Sequence, residues 1–304
     1  MQTGTYLISG GTGLVGSALT NSLLGRGHKV HVLTRSSNKS SSQKGLEYFT
    51  WDIENATIDP KAFDGVDYLV QLSGSGILDK DWTPSRRQDL ERSRIGAAKL
   101  LLSEIQAQKL QLKGVVSTSA VGCYPVHSDA GPKAYTEEEP YDSSHYLGQL
   151  CQQWEKVNTQ FSNCCDHMSI LRFGVVWSNS GGFFKAIKPS VAFFMGAYLG
   201  TGTQMMPWIH IDDLVSLICW ASDHSGVYNA VAGNISNRDF TLLMRQKMNR
   251  FSLLRRIPSW ALKPVLGQRE IAVLKGQRVS NEKLLKAGFK FKFLEASRAM
   301  DHLL

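Results

Sequence analysis

The groups best suited to chemistry lie in a glycine-rich stretch near the start of the sequence, Gly10-Gly11-Thr12-Gly13-Leu14-Val15-Gly16. An apolar run at residues 6–8 precedes it, and apolar residues at three- and four-residue spacing continue to residue 24. This order predicts a strand, a tight turn and a helix. Glycine lets backbone N–H groups approach a pyrophosphate at the positive end of that helix. The stretch therefore predicts a dinucleotide-binding turn, the alternative being a purely structural one.

The end of the second predicted strand, residues 29–35, indicates which dinucleotide binds. In NAD-binding proteins an acid about 20 residues past the glycines accepts hydrogen bonds from the ribose 2′-OH. This strand ends on Arg35 and is followed by Ser36, Ser37 and Lys39. A carboxylate there would repel a 2′-phosphate, whereas a guanidinium pairs with one. We therefore predict NADP (NADPH) as the cofactor, with a solvated loop cation as the alternative for Arg35.

The composition is that of a globular protein with a substantial core, since 42% of the 304 residues are hydrophobic and 20% are charged. No apolar run approaches the roughly 20 residues of a membrane span. Structure-like sequence begins by residue 6, which leaves no room for a secretory signal peptide. The five cysteines are odd in number and lack C-x-x-C spacing, which indicates reduced thiols. We expect a cytoplasmic protein without a membrane partner or a bound metal.

The net charge of +8 raises the question of nucleic-acid binding. Residues 245–298 hold fourteen Lys or Arg against three Glu. These cations are spread over an alternating apolar pattern, without a dense basic run or interleaved aromatic residues. We therefore expect a solvated basic face, not a nucleic-acid partner, and a small molecule as the substrate.

Further strands and one helix supply the other candidate cofactor contacts. Residues 46–52 form a predicted strand that ends on Asp52, which is placed to line an adenine pocket. Residues 66–74 form a buried parallel strand ending in Leu72, Ser73 and Gly74. Ligands of open α/β sheets lie outside the carboxyl ends of the strands, so these three residues should pass under the cofactor. The predicted helix 85–108 carries Arg94, which is a candidate phosphate contact.

A further predicted strand runs into Ser117-Thr118-Ser119-Ala120-Val121-Gly122-Cys123-Tyr124-Pro125. With the glycine stretch, it makes the chain similar to extended short-chain dehydrogenases/reductases, and more narrowly to the atypical "epimerase family" branch of nucleotide-sugar epimerases and reductases. The matching stretches cover residues 10–16, 33–35, 72–74, 93–94, 119–124, 171–176, 207–214, 274–279 and 287–291.

This resemblance implies roles for individual residues. It places Ser119 where the superfamily keeps the serine whose hydroxyl binds the reacting substrate oxygen; a strand-end serine that satisfies backbone groups is the alternative. It also implies that a set of six residues contacts NADP: Thr34, Arg35, Leu72, Ser73, Arg94 and Val175.

The sequence departs from the family at the proton-transfer residues. Ordinary members carry Tyr-x-x-x-Lys on a helix, where the lysine lowers the pKa of the tyrosine. Here Tyr146 is followed by Leu150 at the lysine position. We therefore predict Tyr146 as a weakened catalytic proton donor, with a residue that only lines the pocket as the alternative. Tyr124 and the acidic loop Glu137-Glu138-Glu139 are the other candidate proton carriers.

Together these features predict an α/β, doubly wound Rossmann domain over residues 1–178, rejoined by 207–232, with a smaller substrate-cap lobe from 179–206 and 233–304. The apolar segment 189–206 is interpreted as a substrate flap or as a homodimer contact. Asp212 and Asp213 are predicted to cap a helix, and the alternating stretch 289–293 predicts a strand. The predicted function is an NADP-dependent oxidoreductase or epimerase acting on a small hydroxyl or carbonyl compound, with a nucleotide sugar as one candidate substrate. An NADP-binding regulator or redox sensor with little turnover is the alternative.

Overall fold

The computed structural model describes residues 3–36, 41–193, 195–252 and 256–304 of the chain. One large sheet contains eight strands: β1 (Thr5–Ser9), β2 (Lys29–Thr34), β3 (Leu46–Asp52), β4 (Thr57–Ile58), β5 (Tyr68–Gln71), β6 (Leu112–Ala120), β8 (Cys165–Phe173) and β12 (Gly226–Ala230). Their spatial order is β12-β8-β6-β5-β1-β2-β3-β4, and only the β3–β4 pair is antiparallel.

The chain leaves β1 toward β2 on one side, while β5 lies on the other side of β1. Such a reversal of strand order opens a crevice at the carboxyl ends of β1 and β5. The glycine stretch follows β1 and Leu72 follows β5, so both predicted contact segments reach this crevice. The doubly wound α/β architecture predicted from the sequence is thereby confirmed.

The helices are α1 (Leu14–Gly25), α2 (Pro84–Glu91), α3 (Ala97–Ala107), α4 (Tyr146–Asn158), α5 (Gly182–Ala192), α6 (Ile211–Ala221), α7 (Asn237–Lys247), α8 (Ser259–Leu266), α9 (Glu270–Leu274), α10 (Glu282–Lys286) and α11 (Ala296–Leu303). A π-helical turn, Arg92–Gly96, joins α2 to α3, so the predicted helix 85–108 forms as one continuous element.

Both faces of the large sheet are covered, because successive strand residues enter different cores. Ile8 and Val116 pack with residues of α1 and α6, whereas the neighbouring Leu7 and Val115 pack with residues of α3 and α4. Alternation of this kind is expected of strands buried on both sides.

Shorter strands form three small sheets beside the large one. β9 (Val175–Trp177), β11 (Met205–His210) and β13 (Gly233–Ser236) form one of them. β10 (Tyr198–Leu199) pairs with β14 (Arg256–Ile257), and β7 (Ala134–Tyr135) pairs with β15 (Arg278–Val279). The last 25 residues return to the first core through Leu284, Phe289, Phe293, Met300 and Leu303.

Two local predictions, the helix cap at Asp212 and Asp213 and the strand at residues 289–293, were wrong for one shared reason. Residues 289–293 alternate in burial as predicted, but they pair with no strand in the described chain. The backbone N–H groups of Lys292 and Phe293 donate instead to the Asp213 carboxylate, at 2.7 and 3.0 Å. Asp213 is therefore not available as a helix cap; the His210 side chain caps α6 by accepting the Asp212 N–H.

Within the described ranges, no helix is long and apolar enough to cross a membrane. The five cysteines are all free thiols. Burial raises the pKa of Cys151 to about 11 and of Cys165 to about 12, so these thiols stay protonated at neutral pH.

Candidate active site at the carboxyl ends of the strands

A cavity of about 590 Å³ lies at the carboxyl ends of β1, β5 and β6, and we call it the central cavity. It extends from the glycine stretch to residues 271–277, which close its far end. Eleven residues predicted from the sequence line it together: Gly10, Gly13, Leu14, Val15, Gly16, Leu72, Ser73, Gly74, Arg94, Ser119 and Val175.

The glycines of this stretch allow close packing of the turn against neighbouring backbone. Gly10 has a φ of +73°, and a Cβ there would lie 2.6 Å from the Leu72 carbonyl group. A Cβ on Gly16 would lie 2.3 Å from the Gly10 carbonyl oxygen. Gly13 begins α1 without a side-chain cap, so the first N–H groups of that helix are free to meet an anion.

Two polar side chains beside this turn lack a partner among the described residues: Arg94 has no carboxylate, and the Ser73 hydroxyl has no hydrogen bond. Half-buried Arg94 donates to the Ser75 and Leu90 carbonyl oxygens at 2.8 and 3.2 Å, and pairs with no carboxylate in the described chain. Desolvation lowers the pKa of Arg94, which indicates a cation held away from water. The buried Ser73 hydroxyl has no hydrogen-bond partner among the described residues. A guanidinium without a carboxylate partner in the described chain, the unpaired Ser73 hydroxyl and the helix N–H groups together fit a pyrophosphate.

Four predicted cofactor residues lie outside the lining of this cavity: Thr12, Thr34, Arg35 and Asp52. Thr12 is exposed in the glycine turn, and the Thr34 hydroxyl accepts the Ser36 N–H at 3.2 Å. Arg35 is exposed at the end of β2 and forms no ion pair with a described residue. Ser37 and Lys39 lie outside the described residues.

The Asp52 carboxylate holds the turn that follows β3. It accepts the N–H of Glu54 at 2.8 Å, and the N–H and side-chain amide of Asn55 at 3.2 and 2.8 Å. The hydrogen bonds from Asn55 hold the pKa of Asp52 below its ordinary value. Its contact with an adenine ring stays a prediction.

Ser119 stands at the end of β6 and donates its hydroxyl to Glu155 of α4 at 2.6 Å. Arg172 of β8 binds the same carboxylate with two N–H groups, each at 3.0 Å. Ser119, Glu155 and Arg172 are each 2–3% exposed, so this ion pair is buried. Burial opposes the charge on Arg172, but the hydrogen bonds from Glu155 outweigh it and raise the pKa of the guanidinium.

The polar network continues behind Arg172. Its second terminal nitrogen donates to the Tyr124 hydroxyl at 2.8 Å, and Tyr124 donates to the Asn229 side chain at 2.7 Å. Tyr141 donates to the second Glu155 oxygen at 2.8 Å, and burial raises the pKa of Tyr141 to about 12. Burial also raises the pKa of Tyr124. Both tyrosines are therefore neutral hydrogen-bond donors at physiological pH.

Tyr146 lies beside the central cavity but not in its lining. Its ring packs against Trp82 at a centroid distance of 5.5 Å, and its hydroxyl donates to the Arg87 carbonyl oxygen at 3.1 Å. Burial raises the pKa of Tyr146 to about 12, which disfavours the phenolate. A role in proton transfer stays a prediction, whereas these contacts are those of a packing residue.

The α4 positions four residues apart that do line the cavity beside Ser119 include Leu147 and Cys151. Leu150, which stands at the predicted lysine position, lines the cavity as well, whereas Tyr146 does not. Cys151 is 4% exposed and its thiol lies 3.7 Å from the Ala120 carbonyl oxygen. Leu147, Leu150 and Cys151 cannot supply the cation that would lower the pKa of a tyrosine.

The sequence reasoning missed Glu155 as a partner of Ser119. One signal was present, since Glu155 stands directly after Trp154 on the helix side that carries Leu150 and Cys151. A second signal was Arg172 inside an apolar strand. Buried charges of opposite sign require one another, so such a pair could have been matched in advance.

His210 lies away from the central cavity and ties the carboxyl-terminal segment to β11. It is fully buried, its Nδ1 accepts the Asp212 N–H at 3.0 Å, and its Nε2 therefore donates to His302 Nδ1, which lies 3.2 Å away. Its ring packs on Phe293 at 4.1 Å. These contacts are those of a structural histidine.

We expect the free energy of unfolding to fall between pH 6.5 and pH 4 because of His210. Burial lowers its pKa from 6.5 to about 4, so the unfolded chain binds a proton in this range that the native protein does not. The loss from pH 7 to pH 5 should be about 2 kcal/mol, with full stability kept above pH 6.5. Urea titrations of wild type and His210→Asn, which keeps a cap acceptor, measure it. An equally steep pH dependence in the variant would contradict the assignment.

The comparisons with known proteins agree with this geometry. A model described as "NAD dependent epimerase/dehydratase family" matches residues 6–231. The chain belongs to that family. A second model, a domain of unknown function (DUF1731), matches residues 257–303. Membership of the NAD-dependent epimerase/dehydratase family supports NAD(P)-dependent oxidoreductase or epimerase chemistry in general.

Relatives that share the whole length include an epimerase family protein of Staphylococcus aureus, 30% identical over 307 residues and covered to 98% in both chains. Another, from Staphylococcus saprophyticus, is 33% identical over 304 residues, again with 98% of both chains covered.

Two solved structures are also similar. The crystal structure of human epimerase family protein SDR39U1 (isoform 2) with NADPH matches 98% of both chains, with 28% identity and a TM-score of 0.85. The nucleoside-diphosphate sugar epimerase from Corynebacterium glutamicum is 29% identical with a TM-score of 0.77, and the match covers all of this chain and 58% of that one.

Proposed function

We propose that this member of the epimerase/dehydratase family is an NADP-dependent oxidoreductase or epimerase that acts on a small hydroxyl or carbonyl compound. The observation that carries the proposal is the continuity of the central cavity. It joins the glycine turn, beside which Arg94 has no carboxylate partner among the described residues, to Ser119 at the end of β6. When bound, the nicotinamide supplies or accepts a hydride. The chain's own residues hold the cofactor's phosphates and orient the reacting oxygen.

The carboxyl-terminal residues complete this proposal as a substrate-cap lobe. Leu199, Met205 and Met206 line the cavity from segment 179–206, and residues 271–277 line it from segment 233–304. These side chains are largely apolar, which suits exclusion of water from the reacting centre.

Support for NADP comes from β2 and from one neighbour. β2 ends without a carboxylate. Arg35 follows it, is exposed, and forms no ion pair with a described residue. The neighbouring human protein was crystallised with NADPH. We propose that Arg35 pairs with the 2′-phosphate.

Arg35→Glu should lower the affinity for NADPH roughly tenfold or more, because a charge-assisted hydrogen bond is replaced by repulsion. Affinity for NADH should change little, since NADH lacks the 2′-phosphate. Fluorescence titration of both reduced nucleotides measures the two values. Arg26→Glu, an equally exposed change of charge at the far end of α1, is the matched control. Equal losses for both nucleotides would refute the assignment.

Ser119→Ala should reduce steady reduction of NADP⁺ at least tenfold with any hydroxyl compound that supports it, since the variant loses the side chain that binds the reacting oxygen. NADPH affinity should stay unchanged, which would show that the lower turnover does not result from weaker cofactor binding. Turnover that survives Ser119→Ala at the wild-type rate would remove Ser119 from the reaction.

A second candidate function is an NADP-binding regulator with little turnover. The specific observation in its favour is that the α4 residues lining the cavity include neither a tyrosine nor a lysine; they are Leu147, Leu150, Cys151 and Trp154. Tight NADPH binding without consumption across a broad panel of carbonyl compounds would favour the regulator over the enzyme.

A further inference from the structure

The direction of one hydrogen bond limits what the central cavity can bind at Ser119. The Ser119 hydroxyl has a single proton, and Glu155 accepts it at 2.6 Å. The Glu155 oxygens also receive two N–H groups of Arg172 and the hydroxyl of Tyr141. A carboxylate that accepts this many hydrogen bonds is deprotonated and cannot donate to Ser119. The serine proton therefore points toward Glu155.

What remains for a ligand is the oxygen's lone pairs. Ser119 lines the central cavity, and with its proton on Glu155 the hydroxyl can meet a ligand there only as an acceptor. A ligand group that approaches it must then donate a hydrogen bond. A hydroxyl group can do so, whereas a ketone oxygen cannot.

A neighbouring side chain, Gln277, also presents a hydrogen-bond acceptor. Gln277 lines the cavity and is 6% exposed. Its amide nitrogen donates to the carbonyl oxygen of Val121, two residues beyond Ser119, at 2.8 Å. Because a carbonyl oxygen can only accept, this contact fixes the amide orientation and leaves Oε1 as the free atom. The described residues supply no donor to it.

We propose that Glu155 is a positioning residue that fixes Ser119 as an acceptor, so that the cavity selects the alcohol form of its substrate over the matching ketone. This inference rests on the proposed function and names its preferred ligand class, a hydroxyl compound. To bind a ketone, Ser119 must turn its proton away from the buried Glu155 carboxylate. Sites built around one hydrogen-bond direction discriminate against ligands that cannot satisfy it.

The test uses ligand pairs that cannot exchange a hydride on NADP⁺-loaded protein. One pair is 2-phenyl-2-propanol and acetophenone, and another is 1-methylcyclohexanol and cyclohexanone. The tertiary alcohols cannot be oxidised, and the ketones cannot be reduced by NADP⁺. Dissociation constants come from saturation-transfer NMR titrations. We expect each alcohol to bind roughly fivefold more tightly than its ketone, the ratio that one net hydrogen bond gives.

Variants separate positioning from general packing. Glu155→Gln should lower the alcohol-to-ketone ratio toward one, because an amide oxygen accepts the serine proton more weakly than a carboxylate and the amide NH2 group competes as a donor to Ser119. Ser119→Ala, which keeps the Glu155–Arg172 pair, should also bring the ratio to one, and it carries the test if the Gln variant does not fold. Tyr141→Phe removes a donor from the other Glu155 oxygen and should leave the ratio unchanged.

Three results would overturn the inference: ketones that bind as tightly as alcohols in the wild type, a preference that persists in Ser119→Ala, or no binding of any alcohol. NADPH binding is measured separately by fluorescence. If NADPH fails to bind, the proposed function fails; if NADPH binds and the preference is absent, only this inference fails.

Discussion

Replacing Arg94 by Met should lower the affinity of the protein for NADPH about 100-fold, the loss typical when one partner of a desolvated charged contact is truncated. Arg94 is half-buried beside the glycine turn, with two carbonyl oxygens as acceptors and no carboxylate among the described residues to neutralise it. A pyrophosphate would supply that charge. The loss should be equal for NADPH and NADH, because both carry the pyrophosphate.

Arg92→Met is the matched control for Arg94→Met. Arg92 lies two residues earlier, and its ion pairs with Glu54 and Asp89 at 2.7 and 2.6 Å are solvent-exposed. It should leave nucleotide affinity unchanged. Arg94→Lys should recover part of the affinity, since it keeps the charge but loses the planar fork. Equal weakening by the Arg92 and Arg94 variants would show that Arg94 does not touch the phosphates.

The glycine turn could be predicted from the sequence because its chemistry is local. Strand, glycines and helix follow one another within twenty residues, and each is specified by residue types in that window. The same holds for the approach of Leu72 and Ser73, because parallel strands bring their carboxyl ends to one edge.

The contacts around Ser119 could not be predicted in this way. Glu155 is 36 residues away along the chain and reaches Ser119 only because α4 packs on β6. Spacing alone does not fix the rotational phase of such a helix. Tyr146 is buried and Leu147 is partly buried; because successive helix residues differ by about 100° of rotation, it is Leu147 that lines the cavity. A one-residue ambiguity therefore decides which side chain meets the substrate.

The tail shows the same limit. The alternation of Phe289, Phe291 and Phe293 gives the burial of the side chains but not the partner of the backbone. Here the partner is the Asp213 carboxylate, nearly 80 residues earlier in the chain. An isolated carboxylate satisfies two N–H groups as well as a neighbouring strand would.

Arg172→Met should lower the free energy of unfolding by about 3–5 kcal/mol, because it leaves the Glu155 carboxylate buried without its cation. Both side chains are almost fully inaccessible, and the carboxylate would keep only the hydroxyls of Ser119 and Tyr141 as donors. Urea denaturation of the purified variant measures the change. Lys286→Met breaks an exposed ion pair with Glu282 and is the control, for which we expect little change.

The double variant Arg172→Met/Glu155→Gln tests the electrostatic origin of that loss. An amide at position 155 has no charge to strand, so the double variant should be more stable than Arg172→Met alone. If the loss came only from the missing volume of the arginine, the second substitution would add to the damage instead. Recovery of stability on removing the charge therefore distinguishes an unpaired buried carboxylate from a packing defect. It would also show that Arg172 stabilises the charge of Glu155, the carboxylate that accepts the Ser119 proton.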